Sequence, residues 1–147
     1  MQKINPPTYF FGLLVLLVTL HFLFPLNKIL FEHFTYFGLV FVFLGIVLNL
    51  WADSLFTKTK TMVKPNQLPA VLLQKGPFAF SRHPMYLGMA LILFGSAIFF
   101  GTISTFLPVL IFVLLMEKKF IPLEEKNLEK VFGKNFFEYK KKVRKWI

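Results

Sequence analysis

Residues 85–116 read MYLGMALILFGSAIFFGTISTFLPVLIFVLLM, a run without a single Asp, Glu, Lys or Arg. As one helix its thirty-two residues would reach ~48 Å at about 1.5 Å per residue, well beyond the ~30 Å of a bilayer's hydrocarbon core. Gly101, Thr102, Ser104, Thr105 and Pro108 lie near the middle, where a turn is chemically easy. The run is therefore read as two arms, 85–100 and 104–120, closed into a tight helical hairpin. Toward the N-terminus, two more uncharged runs predict helices over about 9–26 and 34–52, each close to one bilayer in length. Asn27, Lys28, Glu32 and His33 form the polar connection between them. The first run is longer than a signal-peptide core and no small-x-small cleavage site follows, so it reads as a retained span.

The chain carries 56% hydrophobic and 16% charged residues, with 21 Phe among its 147 residues. A soluble domain of that size carries about 25% charged residues to cover its surface. Here the solvent is mostly lipid. With both termini on the cytoplasmic side, that side receives Lys3, Lys58, Lys60, Lys64, Lys75, Arg82 and every basic residue from 118 onward, against Lys28 alone outside. This is a strong positive-inside bias. It also accounts for the net charge of +10 without invoking nucleic acid, because basic segments beside spans attract anionic headgroups. The fold expected is all-α: a single polytopic membrane domain over 1–147 with four transmembrane helices, a cytoplasmic linker at 57–82 and a cytoplasmic tail at 122–147. Pro65, Pro69, Gly76 and Pro77 break the linker. The tail has helical periodicity through Leu128, Val131, Phe132, Phe136, Tyr139, Val143 and Trp146, interrupted at Gly133 into two short interfacial helices. Its basic end, residues 140–145, is expected at the headgroups.

Absence of Cys excludes disulfides, thiolate metal sites and cysteine nucleophiles. Three scattered His give no metal-ligand spacing, and neither a nucleophile elbow, a P-loop nor a dinucleotide fingerprint occurs. His21 and Asn49 are expected to be hydrogen-bonded inside the bundle, Trp51 and Asp53 to mark a boundary, and His33 to be solvated.

Two clusters call for more. One is Gly76-Pro77-Phe78-Ala79-Phe80-Ser81-Arg82-His83-Pro84-Met85-Tyr86-Leu87-Gly88, ahead of the third span; the other is Glu124-Glu125, behind the fourth. Each has a bland reading. Arg82, His83 and Tyr86 suit an interfacial belt, Pro84 a helix start, and the glutamates a helix N-terminus. A hairpin, however, brings both clusters to one place beside lipid, where ionisable groups are costly unless they pair or bind something. A ligand site is the reading that explains them together.

The run from Gly76 to Gly88, the glutamate pair, and the tail pattern Leu128, Phe132-Gly133, Phe137, Tyr139, Val143 resemble the isoprenylcysteine carboxyl methyltransferase family and its phospholipid methyltransferase relatives. The resemblance covers roughly residues 57–144. It implies an S-adenosylmethionine-dependent methyltransferase acting on a lipophilic or membrane-embedded acceptor at the cytoplasmic face. By position it implies cofactor contacts from Ala70, Val71, Leu72, Leu73, Phe78, Arg82, His83, Pro84, Met85, Tyr86, Glu124 and Glu125, with Glu125 or His83 as proton acceptor if the methyl acceptor needs one. Carboxylates and aromatic faces suit a cationic sulfonium and its adenosyl group. The pattern departs at Phe120, where the family carries an arginine on its methyl-accepting side. With Lys118 and Lys119 the nearest bases, this argues against a prenylcysteine carboxylate and for another lipophilic acceptor. Two further readings stay open: an NADPH-dependent membrane reductase similar to sterol reductases, whose motif has Asn where Met85 stands, and a non-catalytic membrane scaffold.

Overall fold

The computed structural model describes residues 5–29, 32–59 and 71–147, and the side chains of these except Glu32 and His33. The expectations for His33, for Lys3, Lys60, Lys64, Pro65 and Pro69, and for Ala70 as a cofactor contact lie outside the described residues. Among those described the chain is all-helical; the sole β-type pairing there is an isolated bridge, Lys28 with Thr102.

Helix α1 (Pro6–Leu23) starts on two prolines, which donate no N–H that a first turn would miss. Its buried residues, Phe10, Leu13 and Leu17, fall on one stripe, while Phe11, Val15 and Phe22 face outward. A short turn of helix, α2 (Glu32–Thr35), precedes α3 (Phe37–Lys58), whose Phe43, Val47 and Leu50 are likewise exposed. Large apolar side chains turned outward along whole helices are what a lipid environment selects and water does not. Both α1 and α3 are long and apolar enough to cross a membrane.

α4 (Pro84–Phe100) lies against α3 through a seam of glycines. A Cβ placed on Gly45 would sit 2.6 Å from the Gly88 carbonyl oxygen, and Gly38 and Gly95 oppose each other as closely. Small residues let two apolar helices bring their backbones together, which is how helices associate where no hydrophobic drive exists. Asn49 stays within this seam and donates to the Gly45 carbonyl of its own helix (3.0 Å). His21 departs from expectation: its ring lies 4.5 Å from that of Phe100, and its Nδ1 has no hydrogen-bond partner among the described residues.

The turn expected after residue 100 is present. Gly101 closes α4 in the left-handed region (φ 69°), where glycine alone has no Cβ penalty, and a 3₁₀ turn (Ile103–Thr105) leads into α5 (Phe106–Leu115). The far end of the hairpin differs from the reading that ended a helix at 120 and began a separate tail at 122. α5 widens into a π turn (Met116–Phe120) and runs on without a break into α6 (Ile121–Phe132). Pro122 has no N–H for the carbonyl four residues back, and its ring would crowd that carbonyl; the wider π turn relieves both. The chain breaks instead at Gly133 (φ 47°), as the sequence suggested, before α7 (Lys134–Lys142). Leu17 of α1, Leu93 and Ala97 of α4, and Phe112, Met116 and Ile121 of the long helix form the buried core.

Candidate functional site

The loop before α4 is shaped by Gly76 and the residues after it. Gly76 adopts φ 61° with Trp51 and Leu55 of α3 packed where its side chain would be, so a larger residue would be both strained and obstructed. A 3₁₀ turn (Gly76–Ala79) follows, and the Ser81 N–H bonds back to the Pro77 carbonyl. His83 precedes a proline and is therefore barred from the helical region; at φ −127°, ψ 59° it caps α4 from outside the helix. Its imidazole is held level with the Tyr86 ring, centroids 5.7 Å apart and planes within 9°.

The first turn of α6 meets this imidazole with both glutamates. His83 Nδ1 lies 3.5 Å from Glu124 Oε2, and Nε2 lies 3.4 Å from Glu125 Oε1. His83 is almost wholly buried, which alone would suppress its charge, but the two carboxylates outweigh burial and its pKa is raised above the ordinary value. The sequence clusters thus come together as a carboxylate–imidazole–carboxylate bridge.

Glu125 is enclosed further. Arg82 donates to its Oε1 through Nη2 (2.7 Å) and Nε (3.0 Å), and Lys140 of α7 reaches Oε2 (3.0 Å) and Glu129 (3.1 Å). Burial would raise the Glu125 pKa, yet His83, Arg82 and Lys140 together hold it far below the usual carboxylate range. The third Arg82 nitrogen, Nη1, donates to the carbonyls of Val143 (2.7 Å) and Lys140 (3.3 Å), and the Arg82 N–H bonds to the Arg144 carbonyl (3.0 Å). Farther along, Lys145 and Trp146 pair with Glu117 in the π turn. The basic end of the tail is therefore tied to the helices at Lys140 and Lys145 rather than left wholly to headgroups.

Beside the bridge lies a cavity of about 210 Å³. Arg82, His83 and Glu124 form its polar end; Phe56, Phe78, Met85, Tyr86 and Met89 wall it, with Pro84 at the α4 start and Asn5 to Pro7 closing it from α1. Glu124 Oε2 is buried there, 3.5 Å from His83 Nδ1, and makes no close hydrogen bond among the described residues. Seven residues singled out from sequence line this cavity: Phe78, Arg82, His83, Pro84, Met85, Tyr86 and Glu124. Glu125 does not line it and stands behind the bridge. Val71 and Leu72 line a different cavity, of about 520 Å³, with Phe132 and Tyr139, and Leu72 packs on the Phe136–Tyr139–Val143 cluster. Leu73 is half-buried and lines neither. Phe56, Met89 and the α1 start were not legible as site residues, since nothing but distant packing marks them. Phe120 is buried edge-on to Tyr9 (5.5 Å), with Lys119 Nζ hydrogen-bonded to the Tyr9 hydroxyl (3.1 Å).

The pattern of the phospholipid methyltransferase family matches residues 34–135, more than half of the chain. An uncharacterized protein of Haemophilus influenzae is 40% identical over 63 residues, which are 43% of this chain and all of that protein. Among solved structures, the eukaryotic intramembrane Ras methyltransferase, isoprenylcysteine carboxyl methyltransferase, superposes with a TM-score of 0.65 at 22% identity. The match covers 95% of this chain and 50% of that one, so the chain spans half the length of the larger enzyme and shares its fold. The chain belongs to the phospholipid methyltransferase family.

Proposed function

We propose that this chain is an S-adenosylmethionine-dependent methyltransferase whose acceptor is lipophilic and reaches the site from the cytoplasmic leaflet. The observation that carries the proposal is the His83–Glu124 contact at 3.5 Å beside an apolar-walled cavity, where Glu124 Oε2 makes no close hydrogen bond. The topology proposed with it has four spans, namely α1, α3, α4 and α5 with its π extension, and both termini inside. The distribution of Lys and Arg supports that orientation.

The residues fit such a cofactor chemically. Glu124 Oε2, with only the 3.5 Å contact to His83 beside it, can take a further cationic partner, and the faces of Phe56, Phe78 and Tyr86 suit a cation or a planar base. When bound, the cofactor supplies an activated methyl on a sulfonium, so the protein's share is orientation and exclusion of water. His83, shared between two carboxylates, fixes the direction of Glu124. Glu125, held far below the usual carboxylate range by three cations, is a poor proton acceptor, and the raised pKa of His83 favours its protonated form. Glu124 is the carboxylate left for that task where an acceptor needs it. Phe120 leaves no guanidinium on the acceptor side, and the donors of Arg82 are committed to Glu125 and the tail, which supports an acceptor other than a prenylcysteine carboxylate.

The test titrates S-adenosylhomocysteine and, separately, NADPH against the purified protein in detergent. Saturable binding of the first and none of the second is expected. His83→Ala and Glu124→Ala should each weaken it about ten-fold or more, the effect of losing a charged hydrogen bond of ~1.5–3 kcal/mol. A response to NADPH alone would transfer the chain to the reductases, and wild-type affinity in both variants would remove the site.

A further inference from the structure

We propose that Lys140 is a positioning residue of the methyltransferase site, through which α7 holds the Glu125–His83–Glu124 bridge in its ligand-ready arrangement. The inference rests on the reading of the adjacent cavity as the cofactor site. Lys140 lies in the tail and does not itself line that cavity. Its ammonium is nevertheless one ion pair removed from the imidazole: Lys140 Nζ to Glu125 Oε2 is 3.0 Å, and Glu125 Oε1 to His83 Nε2 is 3.4 Å.

Charge accounting gives the reason for a lysine there. His83 is faced by Glu124 and Glu125 from α6, by Arg82 from its own segment and by Tyr86 from α4; α7 contributes Lys140, which is faced in turn by Glu129. With the imidazole protonated, three cations balance three carboxylates along one contiguous chain. Without Lys140, Oε2 of a buried carboxylate loses its partner. Glu125 then draws harder on the imidazole, at the expense of the contact that aims Glu124. The neighbouring residue ties the same helix to the opposite wall: the Tyr139 hydroxyl, buried, donates to the Phe78 carbonyl at 2.6 Å, and Phe78 lines the cavity. Adjacent residues of α7 thus brace both sides of the ligand space, one through charge and one through a backbone carbonyl.

The experiment measures S-adenosylhomocysteine affinity between pH 6 and pH 9 for wild type, Lys140→Met, Lys140→Arg and Tyr139→Phe in detergent, beside the melting temperature of each ligand-free protein. Wild-type affinity should fall on the alkaline side as His83 loses its proton. Lys140→Met should bind about ten-fold more weakly at neutral pH, and its alkaline midpoint should move upward, because removing a cation near the imidazole favours its charge. Lys140→Arg should recover both affinity and midpoint. Tyr139→Phe should lose affinity with the midpoint in place. A Lys140→Met protein with wild-type affinity and midpoint overturns the proposal while leaving the methyltransferase reading intact. So does one that binds weakly with an unmoved midpoint and no rescue by arginine, since that pattern belongs to a purely structural contact. Absence of saturable binding in the wild type overturns both.

Discussion

Replacing Arg82 with methionine separates its structural role from any contact with ligand. The side chains of Arg82 and Glu125 are 8% and 10% exposed, so the pair is shielded from solvent and salt. Methionine fills much of the same volume but leaves Glu125 Oε1 with His83 alone at 3.4 Å, and it strips the Val143 and Lys140 carbonyls of their donor. Removing one partner of a buried pair costs about 3–5 kcal/mol. Lys140 continues to neutralise Oε2, which points to the lower end, about 3 kcal/mol. For a chain of this size each kcal/mol moves the melting temperature by roughly 2–4 °C, so a loss of roughly 6–12 °C is expected. Intrinsic fluorescence during heating in detergent reads it, and hydrogen exchange around residues 140–144 should rise in parallel, because Nη1 holds the Lys140 and Val143 carbonyls. Arg82→Lys should fall between the two, keeping the charge without the planar fork. A melting temperature within roughly 2 °C of wild type, with tail exchange unchanged, would mean the pair is worth no more than an exposed one, and the account of Arg82 as a clamp would fail.

Stability should also depend on pH through two groups of opposite sign. Because the folded pKa of His83 is raised above its ordinary 6.5, its contribution is complete below 6.5 and is lost as pH rises through the folded value; melting temperature should decline on the alkaline side, and His83→Gln should flatten that decline. The folded pKa of Glu125 is depressed below 4.5, so its contribution is complete above 4.5 and is lost only as pH falls through the depressed value. Glu125→Gln should therefore lower the melting temperature most above pH 4.5 and flatten the acid limb, and an unchanged acid limb in that variant counts against the buried network. Gly45→Leu should abolish the α3–α4 seam, whereas Gly12→Leu, with open space around its Cβ, should be silent in the same expression and melting assays; equal effects would deny the seam. The chain has no native cysteine, so Lys28→Cys and Lys142→Cys report orientation cleanly: a membrane-impermeant maleimide applied to intact cells should label the first and spare the second.

The hairpin was legible because its signals are local. A charge-free run too long for one span, with Gly101 and hydroxyl residues at mid-length, admits few foldings, and the left-handed Gly101 cap is where the turn falls. Two features escaped, one because it depends on what is distant in sequence and one because a local signal misled. The seam of Gly38, Gly45, Gly88 and Gly95 joins residues separated by a whole linker, and each glycine alone looks like a weak point in a helix. The run-on from α5 to α6 was hidden by Pro122, ahead of which the fourth arm was ended at 120; the π turn before the proline carries the helix through instead. In the tail, exposed lysines that anchor to headgroups and lysines that neutralise a buried carboxylate look alike in one dimension, so Lys140 and Lys145 carried no mark of their partners.

The glutamate pair makes the same point with its sign reversed. Consecutive residues on an α-helix diverge by about 100°, so Glu124 and Glu125 cannot serve one ligand from one direction. In the fold they take opposite sides of a single imidazole. Glu125 turns toward Arg82 and Lys140 and is spent on holding the tail, while Glu124 keeps an oxygen in the cavity without a close hydrogen bond. An adjacent acidic pair is costly to bury, and the division offsets that cost: the second carboxylate gathers Arg82 and Lys140, while the first faces the cavity. Exchanging the two roles by substitution is therefore not possible, and Glu124→Gln should impair ligand binding with little change in melting temperature, whereas Glu125→Gln should do the reverse first and lose binding only as the tail comes away.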